Sequence, residues 1–510
     1  MEIDKAREKE IVEQASKKQM FLEKTALQVL SKTPDFKKVL ELLEKENVLM
    51  VDKATVEKKL ELINERPKSE QPEVTVSNAS FRPKAKDFEA NIKILKEYDV
   101  TGQSCSEGKA ADFVNYFRTK FDLLSGMLKK RHVLAPKPIK RLGGLARNEA
   151  VDLIGMVNKK WVTKNKGHIA LQFEDTEARC VVLILKDDKP LTDMAEAIMP
   201  DDVLGIKGTK FTNDLVIAKE ILLPDLPMRP QKTAERDICI ASISDLHLGS
   251  KLFLEKEFHR FLDWINCRSN SKKEREKAGS IKYLMVVGDN VDGIGIYPKQ
   301  FDELNIRDIS QQYAEFSKLM LEIPDYIEIV ICPGQHDAVR WADPQPAIPK
   351  EFLPDLYERD NIHFVGSPSW LEIEGLKVML YHGGSLHDLI ANVSFLKSDE
   401  PEKATIELLK KRDLMPAYGF RQPYVPEKKD YMVIKEEPDL FFLGDMHHSS
   451  CGNYRGTTVI HNGTWQGRTN YQVKLGHFPT PGIVPIINLK TRKVTQTDFL
   501  VEEKSHAVKA

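Results

Sequence analysis

YLMVVGDNVD, residues 283–292, is an apolar run that stops on a glycine and then offers two carboxylates, Asp289 and Asp292. An unbroken apolar run of this length fits a strand buried on both faces, and Gly-Asp after a strand builds a turn. Working outward, the same construction recurs. ICIASIS precedes Asp245-Leu246-His247, and YIEIVICP precedes Gly334-Gln335-His336-Asp337. LKVMLY precedes His382-Gly383, and the shorter DLFFL precedes Gly444-Asp445-Met446-His447-His448. A strand followed by a tight turn bearing carboxylate or imidazole, repeated along a chain, is how a sheet gathers ligands at its strand ends. Such a set can hold two divalent metal ions, and two-metal sites hydrolyse phosphate esters.

Hard divalent ions favour carboxylates, and imidazole suits transition metals. Asp245 and His247 stand two apart, which points both side chains the same way on an extended segment. Asp289, after its glycine turn, is the natural bridging ligand, and Asp292 is placed to support it. Gln335 offers a neutral amide oxygen. His336 is expected to protonate a leaving oxygen, with Asp337 orienting the imidazole and raising its pKa. His382, Asp445, His447 and His448 close the shell, with His448 pointing away from His447. Each piece also has a bland reading, because Gly-Asp is usually only a turn and His-Asp usually a surface pair. Their joint order after β-type runs is what points to a metal centre.

The composition, 41% hydrophobic and 30% charged, fits a globular protein. A length of 510 residues suits about three domains. The formal net charge of −1 excludes a global electrostatic signature of nucleic-acid binding. Six scattered cysteines without a CxxC pair read as reduced thiols. The charged N-terminus has no apolar core of a signal peptide, and no apolar run is long enough to span a bilayer. The expectation is a cytoplasmic protein without a membrane contact.

Residues 1–65 read as a helical module, with Ile11, Ala15 and Met20-Phe21-Leu22 opening its apolar stripe and Thr33-Pro34-Asp35 breaking it. Residues 66–87, punctuated by Pro67, Pro72 and Pro83, read as a flexible linker. Residues 88–145 read as a helical connector, in which Phe113, Phe117, Phe121, Leu124 and Leu128 mark one helix face. Residues 146–225 hold five short β-type runs and predict an OB-type barrel. Trp161, Phe173 and Phe211, with Lys159, Lys160, Lys164, Lys166, Lys207 and Lys210, are its candidates for strand binding, against a bland reading as core and docking residues. Residues 232–503 alternate strands and helices and end strand-rich, which predicts a two-sheet α/β sandwich.

The order D-x-H, GD-x-x-D, G-x-H-D, H, G-x-x-H resembles that of calcineurin-like metallophosphoesterases. Within that superfamily the chain resembles the small subunits of archaeal family-D DNA polymerases. The narrower likeness rests on DFVNYFRTKF (112–121), ISDLHLGSKLF (243–253), VVGDNVDGIGIYP (286–298) and CPGQHDAVR (332–340). It continues through YHGGSLHDLI (381–390), KRDLMPAYG (411–419) and QPYVPEKKDYMVIKEEPDLFFLGD (422–445). The resemblance implies a heterodimer with a large catalytic subunit, an OB domain used for docking, and a phosphoesterase domain with Mn²⁺-dependent 3′→5′ exonuclease activity on single-stranded 3′ ends. Mg²⁺ is the alternative metal, and a sliding clamp is a further expected partner, although no clear clamp-binding peptide is present. By position, one metal takes Asp245, His247, Asp289 and His447. The other takes Asp289, Gln335, His382 and Asp445, with His336 as general acid. Two departures stand out: Gln335 occupies the place of an Asn, and Asp445 the place of a His. A catalytically inactive scaffold subunit and a stand-alone phosphoesterase are the alternative readings.

Overall fold

In the computed structural model, the described residues are 2–18, 20–33, 36–45, 50–56 and 81–500. The chain divides into two compact units, residues 1–70 and 71–510. In the first, helices Glu2–Lys17, Lys24–Lys32 and Phe36–Lys45 enclose a core that includes Ile11, Ala15, Leu30, Val39, Leu40 and Leu43. Met20-Phe21-Leu22 does not continue the first helix as the apolar stripe suggested. Phe21–Leu22 is extended and pairs in parallel with Met50–Val51. Pro34 and Asp35 lie outside the described residues, between the second and third helices.

The second unit begins earlier than a linker over 66–87 allows. Residues 66–80 of that stretch lie outside the described residues, but 81–87 are packed. Lys84–Asp87 form a 3₁₀ turn in which Ala85 is buried and its N–H donates to the Gly279 carbonyl at 2.8 Å. The connector is not purely helical either. Ile92–Ile94 is a strand, paired antiparallel with Ser369–Ile373. Sequence reading missed it because three residues carry too little periodicity to register.

Two six-stranded sheets stack face to face. In the first, the strand order is Ile362–Phe364, Glu328–Cys332, Ile281–Val287, Cys239–Ile243, Ile483–Asn488 and Val494–Asp498. The first four are mutually parallel, and Ile483–Asn488 runs antiparallel to both of its neighbours. In the second sheet the order is Ser450–Tyr454, Thr457–His461, Leu440–Leu443, Leu376–Leu380, Ser369–Ile373 and Ile92–Ile94. The packing of strand Ile281–Val287 explains why its sequence is apolar from Tyr283 onward. Tyr283, Met285 and Val287 face the other sheet, where they meet a core including Val378, Leu380, Leu440 and Phe442. Leu284 and Val286 face the opposite way, into the core with Phe258, Phe261, Tyr313 and Phe316 of the covering helices. Burial on both faces is what a central parallel strand requires.

Five strands, Ala150–Val162, Ile169–Glu174, Arg179–Ile184, Val203–Lys210 and Leu215–Leu222, close into a barrel. Phe173 is fully buried in its core and offers no stacking surface. Lys160 donates to the Ala195 and Glu196 carbonyls, Lys207 pairs with Glu220, and Lys210 is buried against the Gly143 and Leu145 carbonyls. Helix Ala110–Lys130 joins barrel to sandwich. Leu124 and Leu128 pack with Ile154, Met156 and Val203 of the barrel, while Tyr116 meets Tyr424 at a ring separation of 4.2 Å. Among the described residues, no helix is long and apolar enough to cross a membrane.

The same helix buries a charge. Lys120 Nζ lies 2.5 Å from Asp413 Oδ2 with side-chain exposures of 1% and 3%, and it also donates to the Met415 carbonyl at 3.1 Å. Burial pushes the Asp413 carboxyl up to about 6 despite Lys120, against roughly 3.9 in the unfolded chain. The folded state therefore holds more protons across that window, and stability falls as pH rises through it. Lys120→Met removes the compensating cation and extends this loss above pH 6. Thermal unfolding of the variant should show a deficit of about 3–5 kcal/mol near pH 8 and a smaller one near pH 5. A pH-independent deficit would contradict this account.

Candidate metal centre

Three turns leave the C-terminal ends of parallel strands in the first sheet, and two leave the corresponding ends in the second. Crevices outside such strand ends are where open α/β sheets bind ligands. The turns are stitched together by backbone: Asp245 N–H donates to the Gly288 carbonyl at 3.0 Å, His247 N–H to Asp289 at 3.1 Å, and Gly444 N–H to His382 at 2.8 Å. Asp245, His247, Asp289, Asp445 and His447 all hold positive φ, between 48° and 64°. Non-glycine residues there cost on the order of 1–3 kcal/mol each and cluster at functional sites. At Gly334 the approach is so close that a Cβ would stand 2.2 Å from Asp289 Oδ1 and 2.6 Å from His382 Nε2.

The side chains converge on Asp289. Its Oδ2 lies 3.3 Å from His382 Nε2, 3.8 Å from His247 Nε2 and 4.0 Å from His336 Nε2. On one side, His447 Nε2 is 3.3 Å from Asp245 Oδ1 and 3.1 Å from His247 Nε2. On the other, His382 Nε2 is 4.0 Å from Asp445 Oδ1. Burial alone would raise the Asp289 carboxyl, but His382, His336 and His247 hold it well below the ordinary carboxylate range. Burial likewise opposes a charged His382, and Asp289, Asp245 and Asp445 overcome it, raising the imidazole well above its usual value.

The donor set fits divalent cations. His382 Nδ1 is 2.7 Å from the Val287 carbonyl, which can only accept, so Nδ1 carries the proton and Nε2 is left as a ligand atom. His247 Nδ1 faces the Asp292 carboxylate at 3.1 Å, with the same consequence. His382 Nε2 and Gln335 Oε1 are buried without a hydrogen-bond partner. Buried polar atoms are almost always satisfied, and a bound cation would supply the missing partner at these two atoms. Asp245, His247 and His447 can hold one ion, and Asp245, Asp289 and His382 also lie within ligating reach of one another.

The expected catalytic pair is arranged differently from its sequence reading. His336 Nδ1 donates to the Asp292 carbonyl at 2.7 Å, leaving Nε2 toward Asp289. Asp337 does not orient this ring. Its carboxylate is buried and accepts from Gly334 N–H at 2.9 Å, Asn290 N–H at 3.2 Å, Asn290 Nδ2 at 3.0 Å and Tyr313 Oη at 2.9 Å. Burial and the Asp289 charge push it up to about 6. Adjacent side chains on a tight turn diverge, so Asp337 clamps the 334–337 turn while Asp292 holds both His336 and His247. His448 turns away from the cluster, its Nδ1 3.2 Å from the Phe478 carbonyl.

Sequence reasoning left His387 unassigned. Its Nε2 lies 3.1 Å from Asp445 Oδ2, and with His382 it holds the Asp445 carboxyl at about 2 although burial opposes this. The signal was present in YHGGSLHDLI, five residues beyond His382. Gln422 was also missed: its Oε1 faces Gln335 Nε2 at 3.5 Å, and its Nε2 donates to Asp343 at 3.0 Å. His247, Asp289, Asp292, Gln335, His336, His387, Gln422, Asp445 and His447 line one cleft of about 1080 Å³.

Residues 240–452 match the family of B subunits of DNA polymerases alpha and epsilon. A DNA polymerase II small subunit from Methanocaldococcus jannaschii is 37% identical over 413 residues, covering 81% of this chain and 69% of the relative. Those of Archaeoglobus fulgidus and Methanothermobacter thermautotrophicus are each 38% identical, covering 78% and 81% of this chain and 78% and 84% of theirs. Among solved structures, one described as a novel archaeal phosphodiesterase aligns with 51% of this chain and 98% of its own at 14% identity. Its TM-score is 0.26, too low for a shared fold to be read from it. Identity at this level, over most of both chains, decides the family: the chain belongs to the archaeal DNA polymerase II small subunits.

Proposed function

We propose that this chain is the proofreading 3′→5′ exonuclease subunit of a heterodimeric archaeal replicative DNA polymerase. The observation that carries the reading is the convergence of imidazoles from three other strand-end turns on Asp289, with Asp445 and His447 of a further turn beside them and Gln335 Oε1 buried and unpartnered. Asp245, His247, Asp289 and His447 would hold one cation. Asp289, Gln335, His382 and Asp445 would hold the second. Carboxylates beside imidazoles suit Mn²⁺, with Mg²⁺ as the alternative. When bound, such a pair supplies Lewis acidity and a nucleophilic water for in-line displacement at phosphorus.

The residues of the chain supply the rest. A new P–O bond forms to water as the bond from phosphorus to the 3′ oxygen of the penultimate nucleotide breaks. His336, its ring fixed at Nδ1 by the Asp292 carbonyl, acts in its doubly protonated form: Nε2 gives its proton to that oxygen, the proton lost by the attacking water passes to solvent, and a nucleoside 5′-monophosphate is released. Asp292 couples this acid to His247 by holding both. A cleft of about 1080 Å³ takes nucleotides rather than a duplex end, so unpaired 3′ ends are the preferred substrate. The barrel, of OB type, docks the large catalytic subunit; its buried Phe173 and engaged lysines support docking over strand binding.

The test is Mn²⁺-dependent degradation of a 3′-mismatched primer by the chain, alone and with its large subunit. Asp289→Ala should abolish it, and chelation should abolish it reversibly. His336→Ala should slow it by about 10²- to 10⁴-fold, the usual worth of a general acid. Asp337→Asn, which keeps an acceptor for the turn, should retain activity close to that of the unaltered chain. Undiminished degradation by Asp289→Ala would overturn the proposal, and a large loss in Asp337→Asn with the metals still bound would return Asp337 to the chemistry.

A further inference from the structure

The walls of the metal cleft carry two aromatic side chains turned to solvent. Trp341 is 53% exposed and Phe478 is 71% exposed, and both line the cleft with Asp289, Gln335 and His447. Each is tethered beside a different part of the centre. The Trp341 carbonyl accepts from Gln422 Nε2 at 3.2 Å, and Gln422 Oε1 faces Gln335 Nε2 at 3.5 Å. The Phe478 carbonyl meets His448 Nδ1 at 3.2 Å, and two residues on, Thr480 N–H donates to the His447 carbonyl at 2.9 Å. The Arg468 guanidinium lies 4.0 Å from the Phe478 ring centroid. Lys397, Arg421 and Lys474 also line the cleft. Solvent-facing rings with cations, around a site built for phosphodiesters, are the composition of a single-strand binding groove.

We propose that Trp341 and Phe478 are stacking platforms that hold the terminal bases of a single-stranded 3′ end in the cleft. The inference rests on reading the centre as a phosphodiester-hydrolysing site. Stacking uses the π face that every base has, so the end is gripped whatever its sequence. In a paired end those faces are covered by neighbouring base pairs. Choice of a frayed or mismatched end then follows from base availability, with no reading of base edges.

The experiment compares single-stranded oligonucleotides ending in ordinary nucleotides with the same oligonucleotides ending in two abasic residues. Binding to the complex of this chain with its large subunit is followed by fluorescence anisotropy in a His336→Ala background, and Mn²⁺-dependent degradation is followed in the unaltered background. The unaltered cleft should bind the base-bearing end more tightly than the abasic one by about 5- to 100-fold for each stacked base. Trp341→Ala and Phe478→Ala should each remove much of that preference and leave abasic binding unchanged, and Trp341→Phe should retain it. Unchanged preference in both alanine variants, or an equal loss on both kinds of end, would overturn the proposal. Base preference without any Mn²⁺-dependent degradation would uphold the stacking platforms and sink the nuclease reading.

Discussion

Everything in the sandwich is arranged around one buried carboxylate. Asp289 sits just beyond a fully buried strand, with imidazoles from three other turns facing its carboxylate. Such a cluster cannot persist as bare charge in a low-dielectric interior. It is held together by backbone bonds between turns, by left-handed φ angles at five of the candidate ligands, and by glycines that leave no room for a Cβ. The strain and desolvation are offset by hydrophobic cores, one between the sheets and one beneath each helical layer. A rigid sandwich can carry a strained crown; a loop-based site could not hold five such turns in register.

Gln335 and Asp445, which depart from the ligand pattern that the sequence resembles, have a physical setting in the fold. Gln335 is one methylene longer than Asn, and space for it comes from Gly384, where a Cβ would stand 1.9 Å from Gln335 Nε2. Asp445, in the place of a histidine, is accompanied by His387 at 3.1 Å. A carboxylate and an imidazole thus stand together on this side of the centre.

Much of this was legible in the sequence for a clear reason. Runs such as YLMVVG and IVICP are apolar on both faces, and each is followed at once by chemistry-bearing residues, so strand and site announce each other. The barrel strands were likewise periodic enough to read. What escaped was set by tertiary contact. Ile92–Ile94 joins the second sheet only because Ser369–Ile373 offers it an edge. The role expected of Asp337 fell to the Asp292 carbonyl, which no side-chain pattern can signal. Phe173 looked like a stacking aromatic and is core, Phe211 is exposed, and Trp341 and Phe478, in stretches without periodicity, are exposed at the cleft.

The central claim is that these turns form one centre for two cations sharing Asp289. Manganese titration of the metal-free chain, followed by electron paramagnetic resonance, tests it most directly. The account predicts two ions bound per chain with spins coupled through a shared carboxylate, and loss of that coupling in Asp289→Ala. A single ion per chain, or two ions without coupling, would contradict it.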